Sequence, residues 1–264
     1  MPRKPRFNLP GVPQHIVQRG NNREPCFLGE GDYRRYLDDL GEVAEKFSCR
    51  LHAYVLMTNH VHLLITPESE HGIGQMMQAL GRRYVYFINR TYRRTGTLWE
   101  GRYKASLVDS EAYLLTCMLY IELNPVRASM VGHPAEYGWS SYAANAQGKA
   151  DPLITPHAVY SGLGRSDDER RWAYRELFRY HLGHEELHSI RDALNHELVL
   201  GRSHFKDRIE ALTRRQVRPG LPGRPRAEEE SGVYSILGAG ILGENSLSLS
   251  RDLQVLGIYD SMEK

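Results

Sequence analysis

The sequence predicts an α+β protein, an antiparallel sheet with helices packed against it. Two observations carry that expectation. Up to Pro125, stretches of period-two hydrophobicity alternate with longer stretches of helical spacing, in the order strand, helix, two strands, helix, strand, helix. From Asp168 onward the pattern is helical only, which predicts a helical extension. At 264 residues the chain is long enough for one generous domain with such an extension, and 41% hydrophobic with 25% charged residues is a globular composition.

Residues 14–19 (QHIVQR) read as a strand closed by Gly20, Asn21 and Asn22. Residues 32–47 read as an amphipathic helix, with Tyr33, Tyr36, Leu37, Leu40, Val43, Ala44 and Phe47 at helical spacing. Residues 51–57 alternate as a strand, Thr58 and Asn59 turn the chain, and the next strand stops at Pro67, so a hairpin is expected. Residues 72–93 form a second long helix with Ile73, Met76, Met77, Leu80, Tyr84, Phe87 and Ile88 as its buried stripe. Residues 104–108 are the last strand. Ser110 can cap a third helix, which Pro125 limits because the residue before proline disfavours the α conformation. Further helices are expected over 168–182, 185–200 and 204–214. Residues 218–226 (RPGLPGRPR) cannot form regular structure and predict an extended basic arm; the remainder is expected to be disordered or loosely docked.

Cys26, Cys49 and Cys117 form neither a zinc pattern nor an even disulfide set, which fits a reducing, cytoplasmic setting. The basic start MPRKPRF leads into no apolar segment of a secretory signal. The most apolar late stretch, 232–243, is glycine-rich and shorter than the about 20 residues that span a bilayer, so no membrane role is expected.

A net charge of +2 hides a strong asymmetry. Between His71 and Lys104 lie Arg82, Arg83, Arg90, Arg93, Arg94 and Arg102 against one acid, Glu100; Arg214, Arg215, Arg218, Arg224 and Arg226 form a second basic stretch. Two basic surfaces point to a polyanion partner. The plainer reading of each is a solvated charged face.

The segment TNHVHLLIT places His60 and His62 on one face of a strand and Val61, Leu63 and Ile65 on the other. Such a pair is either the outer face of a half-buried strand or two ligands of a divalent metal with open positions. A later helix carries YIELNPVRA (residues 120–128). Its apolar stripe runs through Leu114, Leu115, Met118 and Ile121, while Tyr113, Cys117, Tyr120 and Asn124 share a neighbouring stripe. Should that stripe face the histidines, a hydroxyl nucleophile and an amide oxygen ligand arrive together. A metal held by His60, His62 and Asn124 would leave positions for phosphate oxygens, and Tyr120 would conserve the cleaved bond as a phosphotyrosine.

The H-U-H strand and Y-I-x-x-N-P-V-R-A helix resemble the HUH single-tyrosine transposases, specifically the REP-associated tyrosine transposases of bacteria, in the IS200-like group. QRGNNR (18–23), YVLMTNHVHLLI (54–65) and GTLWEGRYKASLV (96–108) resemble family segments in the same order. The resemblance covers residues 7–132 and, more weakly, the helices up to 226. It implies a ferredoxin-like fold; with the pattern of the rest, a catalytic domain over 1–132, a helical extension over 133–217 and a basic arm and disordered tail over 218–264 are expected, the tail after Arg226 matching nothing in the family. It implies Mg2+ or Mn2+ on His60 and His62, Tyr120 as nucleophile and Asn124 as third ligand, where related insertion-sequence transposases use glutamine. The implied partner is single-stranded DNA, repetitive extragenic palindromes folded as hairpins that are cut and rejoined nearby. Arg19, Arg23, Arg82, Arg83, Arg90, Arg102, Lys104, Arg224 and Arg226 are the expected DNA contacts. A monomer with a cis site is expected, a dimer acting in trans being the insertion-sequence alternative. Two rivals stand beside this reading: a domesticated protein that binds hairpins without turnover, and a zinc hydrolase, which lacks H-E-x-x-H and an obvious third His or carboxylate ligand.

Overall fold

The computed structural model describes residues 6–7, 9–179 and 182–218. Four period-two stretches become β1 (Gln14–Arg19), β2 (Cys49–Met57), β3 (His60–Pro67) and β4 (Lys104–Val108), ordered β2-β3-β1-β4 and antiparallel throughout. This is the interleaved order of a ferredoxin-like sheet.

The register decides which side chains share a face. Arg19 lies opposite His60, and Val17 opposite His62 on one side and Lys104 on the other. Directly opposed residues point the same way. One face therefore carries Arg19, Val17, His60, His62 and Lys104, and the other Ile16, Val61, Leu63 and Ile65. The helices α1 (Glu30–Lys46) and α2 (Gly72–Thr91) cover the second face, burying Tyr36, Leu40 and Val43 with Met76, Leu80, Tyr84 and Ile88 in one apolar cluster. Asp32 holds the start of α1 by accepting from the Leu28 and Gly29 N–H groups at 2.7 and 3.0 Å, which starts the helix two residues ahead of the expected Asp32.

The first face is covered by α3 (Ser110–Glu122), which buries Leu114, Cys117 and Met118 against Ala53, Val55, Leu64 and Val108. Ser110 is the first helical residue rather than the cap. Asp109 occupies the cap position, and its carboxylate accepts from the Arg202 N–H at 3.2 Å. Nor does Pro125 simply end the helix. The chain breaks at Leu123, and Pro125 sits in the first turn of α4 (Asn124–Arg127), where its missing N–H has no partner to lose.

Against α3 pack α5 (Tyr142–Gln147), α6 (Ala158–Ser161), α7 (Asp167–Leu177) and α8 (His184–Asn195). Fully buried Glu122, at the end of α3, accepts from Ser141 Oγ (2.6 Å), Asn145 Nδ2 (2.8 Å) and Tyr174 Oη (2.9 Å), tying α3 to α5 and α7. The helix expected over 185–200 stops at Asn195. Glu197 adopts φ 53°, and the Leu198 N–H returns to the Ala193 carbonyl at 2.8 Å, closing the helix end. The short strand β5 (Val199–Leu200) then pairs parallel with Leu107–Val108 at the sheet edge. An apolar run as short as Leu198, Val199 and Leu200 suits a buried helix or a strand equally, and period alone does not separate them.

After β5, α9 (Ser203–Thr213) docks Phe205 and Ile209 against Phe7, Val199 and Val217. Of the expected basic arm only Arg218 is described, and it pairs with Asp207 and Glu210 of α9, both at 2.5 Å; the rest of the arm and the tail lie outside the described residues. Among the described residues no helix is long and apolar enough to cross a membrane. Cys26, Cys49 and Cys117 are buried and free.

Candidate active site

On the α3 side of the sheet, the His62 ring lies 5.0 Å from His60 and 5.8 Å from Tyr120, centroid to centroid. The stripe that Cys117 and Tyr120 share by their spacing is the one that faces the histidine strand.

Each histidine is held by its Nδ1. Asn59 Nδ2 donates to the Arg23 carbonyl at 2.9 Å, which turns its Oδ1 toward His60 Nδ1 at 2.7 Å. An amide oxygen only accepts, so His60 carries its proton on Nδ1 and keeps a lone pair on Nε2. Gly20 makes this turn possible: a Cβ there would meet the Glu24 carbonyl at 2.3 Å, while the Gly20 N–H donates to the Asn59 carbonyl at 2.8 Å. His62 Nδ1 lies 2.9 Å from Nε2 of His15, a fully buried residue of β1. Burial pushes His15 down to about 3 and His60 down to about 4, with Arg127 and Arg19 respectively adding to the effect. His62 falls well below the usual imidazole range, through burial first and then its histidine and arginine neighbours. All three are neutral at pH 7.

Tyr120 is held from the C-terminal side. The Arg127 guanidinium stands 4.2 Å from the centre of its ring, and Arg127 Nη2 donates to the Tyr120 carbonyl at 2.7 Å. Asn124 Nδ2 donates to the same carbonyl at 3.4 Å, leaving Oδ1 uncommitted among the described residues.

These groups open into a cavity of about 890 Å3, lined by His60, His62, Tyr120 and Asn124 together with Arg19, Arg23, Arg102, Lys104 and, from α8, Arg191, Leu194 and Asn195. Lys104 Nζ donates to Asn195 Oδ1 at 3.3 Å. Glu100 and Glu197 are the acids in the wall. Arg82, Arg83 and Arg90 lie on α2, in the other layer. Arg83 pairs there with Glu42 and Asp39 at 2.5 and 3.7 Å, and Arg82 and Arg90 are exposed. Arg224 and Arg226 lie outside the described residues.

Four contributors escaped the sequence reading: His15, Asn59, Arg127 and Arg191. Three left a signal. The alternation in QHIVQR puts His15 on the face of Arg19, Asn59 adjoins His60, and Arg127 stands inside YIELNPVRA; Arg191 sits in a helix without local chemistry to mark it.

Among the described residues no three His, Cys, Asp or Glu side chains gather as for a metal ion. The donors on offer are the two neutral imidazoles, His60 through its Nε2, and the Asn124 amide oxygen. That set fits a cation completing its shell with phosphate or water oxygens, such as Mn2+ or Mg2+, rather than a closed structural zinc site.

Residues 10–124 match the family model described as Transposase IS200 like. That segment, under half of the chain, is similar to the IS200-like transposases. The matched segment runs through His15, His60, His62, Tyr120 and Asn124. A REP-associated tyrosine transposase bound to a REP hairpin shares the fold at a TM-score of 0.50 and 16% identity, over 60% of this chain and 93% of that one. A candidate transposase of Deinococcus radiodurans R1 matches at a TM-score of 0.33 and 19% identity, over 48% and 92% of the two chains. No curated protein sequence matches this chain.

Proposed function

We propose that this protein is a single-tyrosine transposase of the REP-associated kind, which binds a single-stranded DNA hairpin, cuts a neighbouring strand through Tyr120 and rejoins it, with Mg2+ or Mn2+ on His60, His62 and Asn124. The observation that carries the reading is the approach of Tyr120 to the histidine pair inside one basic cavity. Tyr120 reaches the histidine pair of its own chain, which supports a site acting in cis. The hairpin partner is supported by the similar fold of a transposase bound to a REP hairpin. In this reading residues 1–132 are the catalytic domain, and the extension over 133–217 adds Arg191 and Asn195 to its cavity wall.

In the cleavage step Tyr120 Oη bonds to phosphorus, the P–O3′ bond breaks, and the phenol proton ends on the departing 3′ oxygen. The product is a 5′-phosphotyrosine and a free 3′-OH, and attack by a 3′-OH reverses the step to rejoin DNA without ATP. A divalent cation supplies Lewis-acid charge to the phosphate oxygens when bound. Arg127 fixes the ring face and, through the Tyr120 carbonyl, its place on the helix. Arg19, Arg102, Lys104 and Arg191 bind the flanking phosphates.

The test uses a 3′-labelled oligonucleotide carrying the palindromic repeats expected beside the gene. With manganese, denaturation should leave label on the wild-type protein, mapping to Tyr120, and none on Tyr120→Phe, which binds the hairpin normally. An adduct at Tyr113, or nicking by Tyr120→Phe, would falsify the assignment. Full cleavage in excess chelator would remove the metal.

A further inference from the structure

The ring of His15 packs against both His62 and Tyr120, 5.1 Å from the first and 5.7 Å from the second, and these two rings are 5.8 Å apart. It is wholly buried on β1. Its Nε2 meets His62 Nδ1 at 2.9 Å, and its Nδ1 has no hydrogen-bond partner among the described residues. Leaving a buried polar atom unpaired costs stability that an apolar residue on the same strand would not. Packing alone does not account for a histidine here.

Two neutral imidazoles joined by one hydrogen bond divide the roles, one nitrogen donating and the other accepting. Were His15 Nε2 the donor, His62 would carry its own proton on Nε2 and have no lone pair left for a cation. With His62 Nδ1 as donor, Nε2 of His62 is bare, the state that Asn59 imposes on His60. The two histidines then match: each Nδ1 proton is bound by a fixed acceptor, and each Nε2 is available.

We propose that His15 is a positioning residue for the metal pair, its Nε2 accepting the Nδ1 proton of His62 and so fixing both the rotation of that ring and the tautomer that leaves its Nε2 lone pair for a divalent cation. The inference rests on the metal reading above. Partners of this kind, behind a ligand, set ring orientation and tautomer, and their loss typically lowers metal affinity about 10–100-fold.

The experiment titrates the full chain with Mn2+ alone, without DNA, reading free ion by electron paramagnetic resonance. His15→Phe keeps a ring and removes the acceptor; its Kd should rise about 10–100-fold. His15→Gln places an amide oxygen near the position of Nε2 and should restore most of the affinity, a rescue that a merely structural role would not give. Nitrogen-15 spectra of metal-free wild-type protein need no variant and should show His62 protonated on Nδ1 and bare on Nε2. Wild-type affinity in His15→Phe, or a proton on Nε2 of His62, overturns the proposal. His62→Ala separates the levels: if it loses Mn2+ while His15→Phe does not, only the role of His15 falls, whereas wild-type Mn2+ affinity in His62→Ala removes the metal reading itself.

Discussion

Arg127 touches Tyr120 twice, its guanidinium on the ring and its Nη2 on the carbonyl, while its Nη1 is buried without a partner among the described residues. Burial lowers its pKa from the usual guanidinium value, yet guanidinium is basic enough to stay charged. A lysine would keep the charge as a point but could not both stack and reach the carbonyl. Arg127→Lys should therefore slow cleavage at saturating DNA by about 2- to 30-fold, the range equivalent to a cation–π contact of roughly 0.5–2 kcal/mol, with hairpin affinity unchanged. A wild-type rate would leave Arg127 as packing only. At this scale the sequence marked the candidates whose spacing puts them on one face: His60 and His62 by period two, Tyr120 and Asn124 by one helical turn, and the fold brings all four to one cavity. It did not disclose Arg127 or His15 as members of the site. Their roles exist only through contacts made across the fold, although each lies on a face that the local period identifies.

The helix α3 delivers Tyr120, and its position depends on Glu122 two residues on. That carboxyl is buried among Ser141, Asn145 and Tyr174, and burial raises it to about 7 against the hydrogen bonds that favour its anion. In the unfolded chain a glutamic acid titrates near 4.3. Between those values the folded state holds the extra proton, so stability from this group is full below about 4.3, falls as pH rises toward 7 and is level above. Buried His15, His52 and His60, lowered to about 3, 4 and 4, act in the opposite sense over an overlapping range, since the unfolded chain binds their protons first. The clean observable is thus a difference. Glu122→Gln, a permanently neutral side chain, should gain in urea midpoint relative to wild type as pH goes from 4.5 to 7.5, and a constant difference would show that Glu122 is ionised throughout. The long elements were legible because α1, α2 and the strands repeat their period over many residues. By contrast α5, α6 and β5 were not, being too short for any period to declare itself; Glu122, an acid closing the apolar run Cys117–Ile121 of α3, was the available sign that a polar layer lies beneath it.

At the scale of the molecule, a near-neutral chain sorts its cations between two layers. Arg19, Arg23, Lys104 and Arg191 converge on the cavity with His60, His62 and Tyr120, whereas Arg82 and Arg90 lie exposed on α2, across the sheet from it. Composition shows the basic stretch but not this partition, which the sheet register creates by sending alternate residues of β1, β3 and β4 to one side. The partition separates two effects of charge. A cation beside the reacting phosphate acts on the cleavage step, while one remote from it contributes only counterion release, with the slope of log affinity against log salt changing by somewhat under 1 per phosphate contact. Arg191→Ala should therefore lower the cleavage rate even with DNA saturating. The pair Arg82→Ala and Arg90→Ala should leave that rate intact, weaken hairpin binding and reduce its salt slope by about 1 to 2. Titrations at several salt concentrations, paired with single-turnover cleavage, give both quantities for each protein. If Arg191→Ala changes affinity but not the saturated rate, α8 is part of the docking surface rather than of the reaction cavity; if the α2 pair changes neither quantity, that face is solvated and the DNA runs wholly along the α3 side.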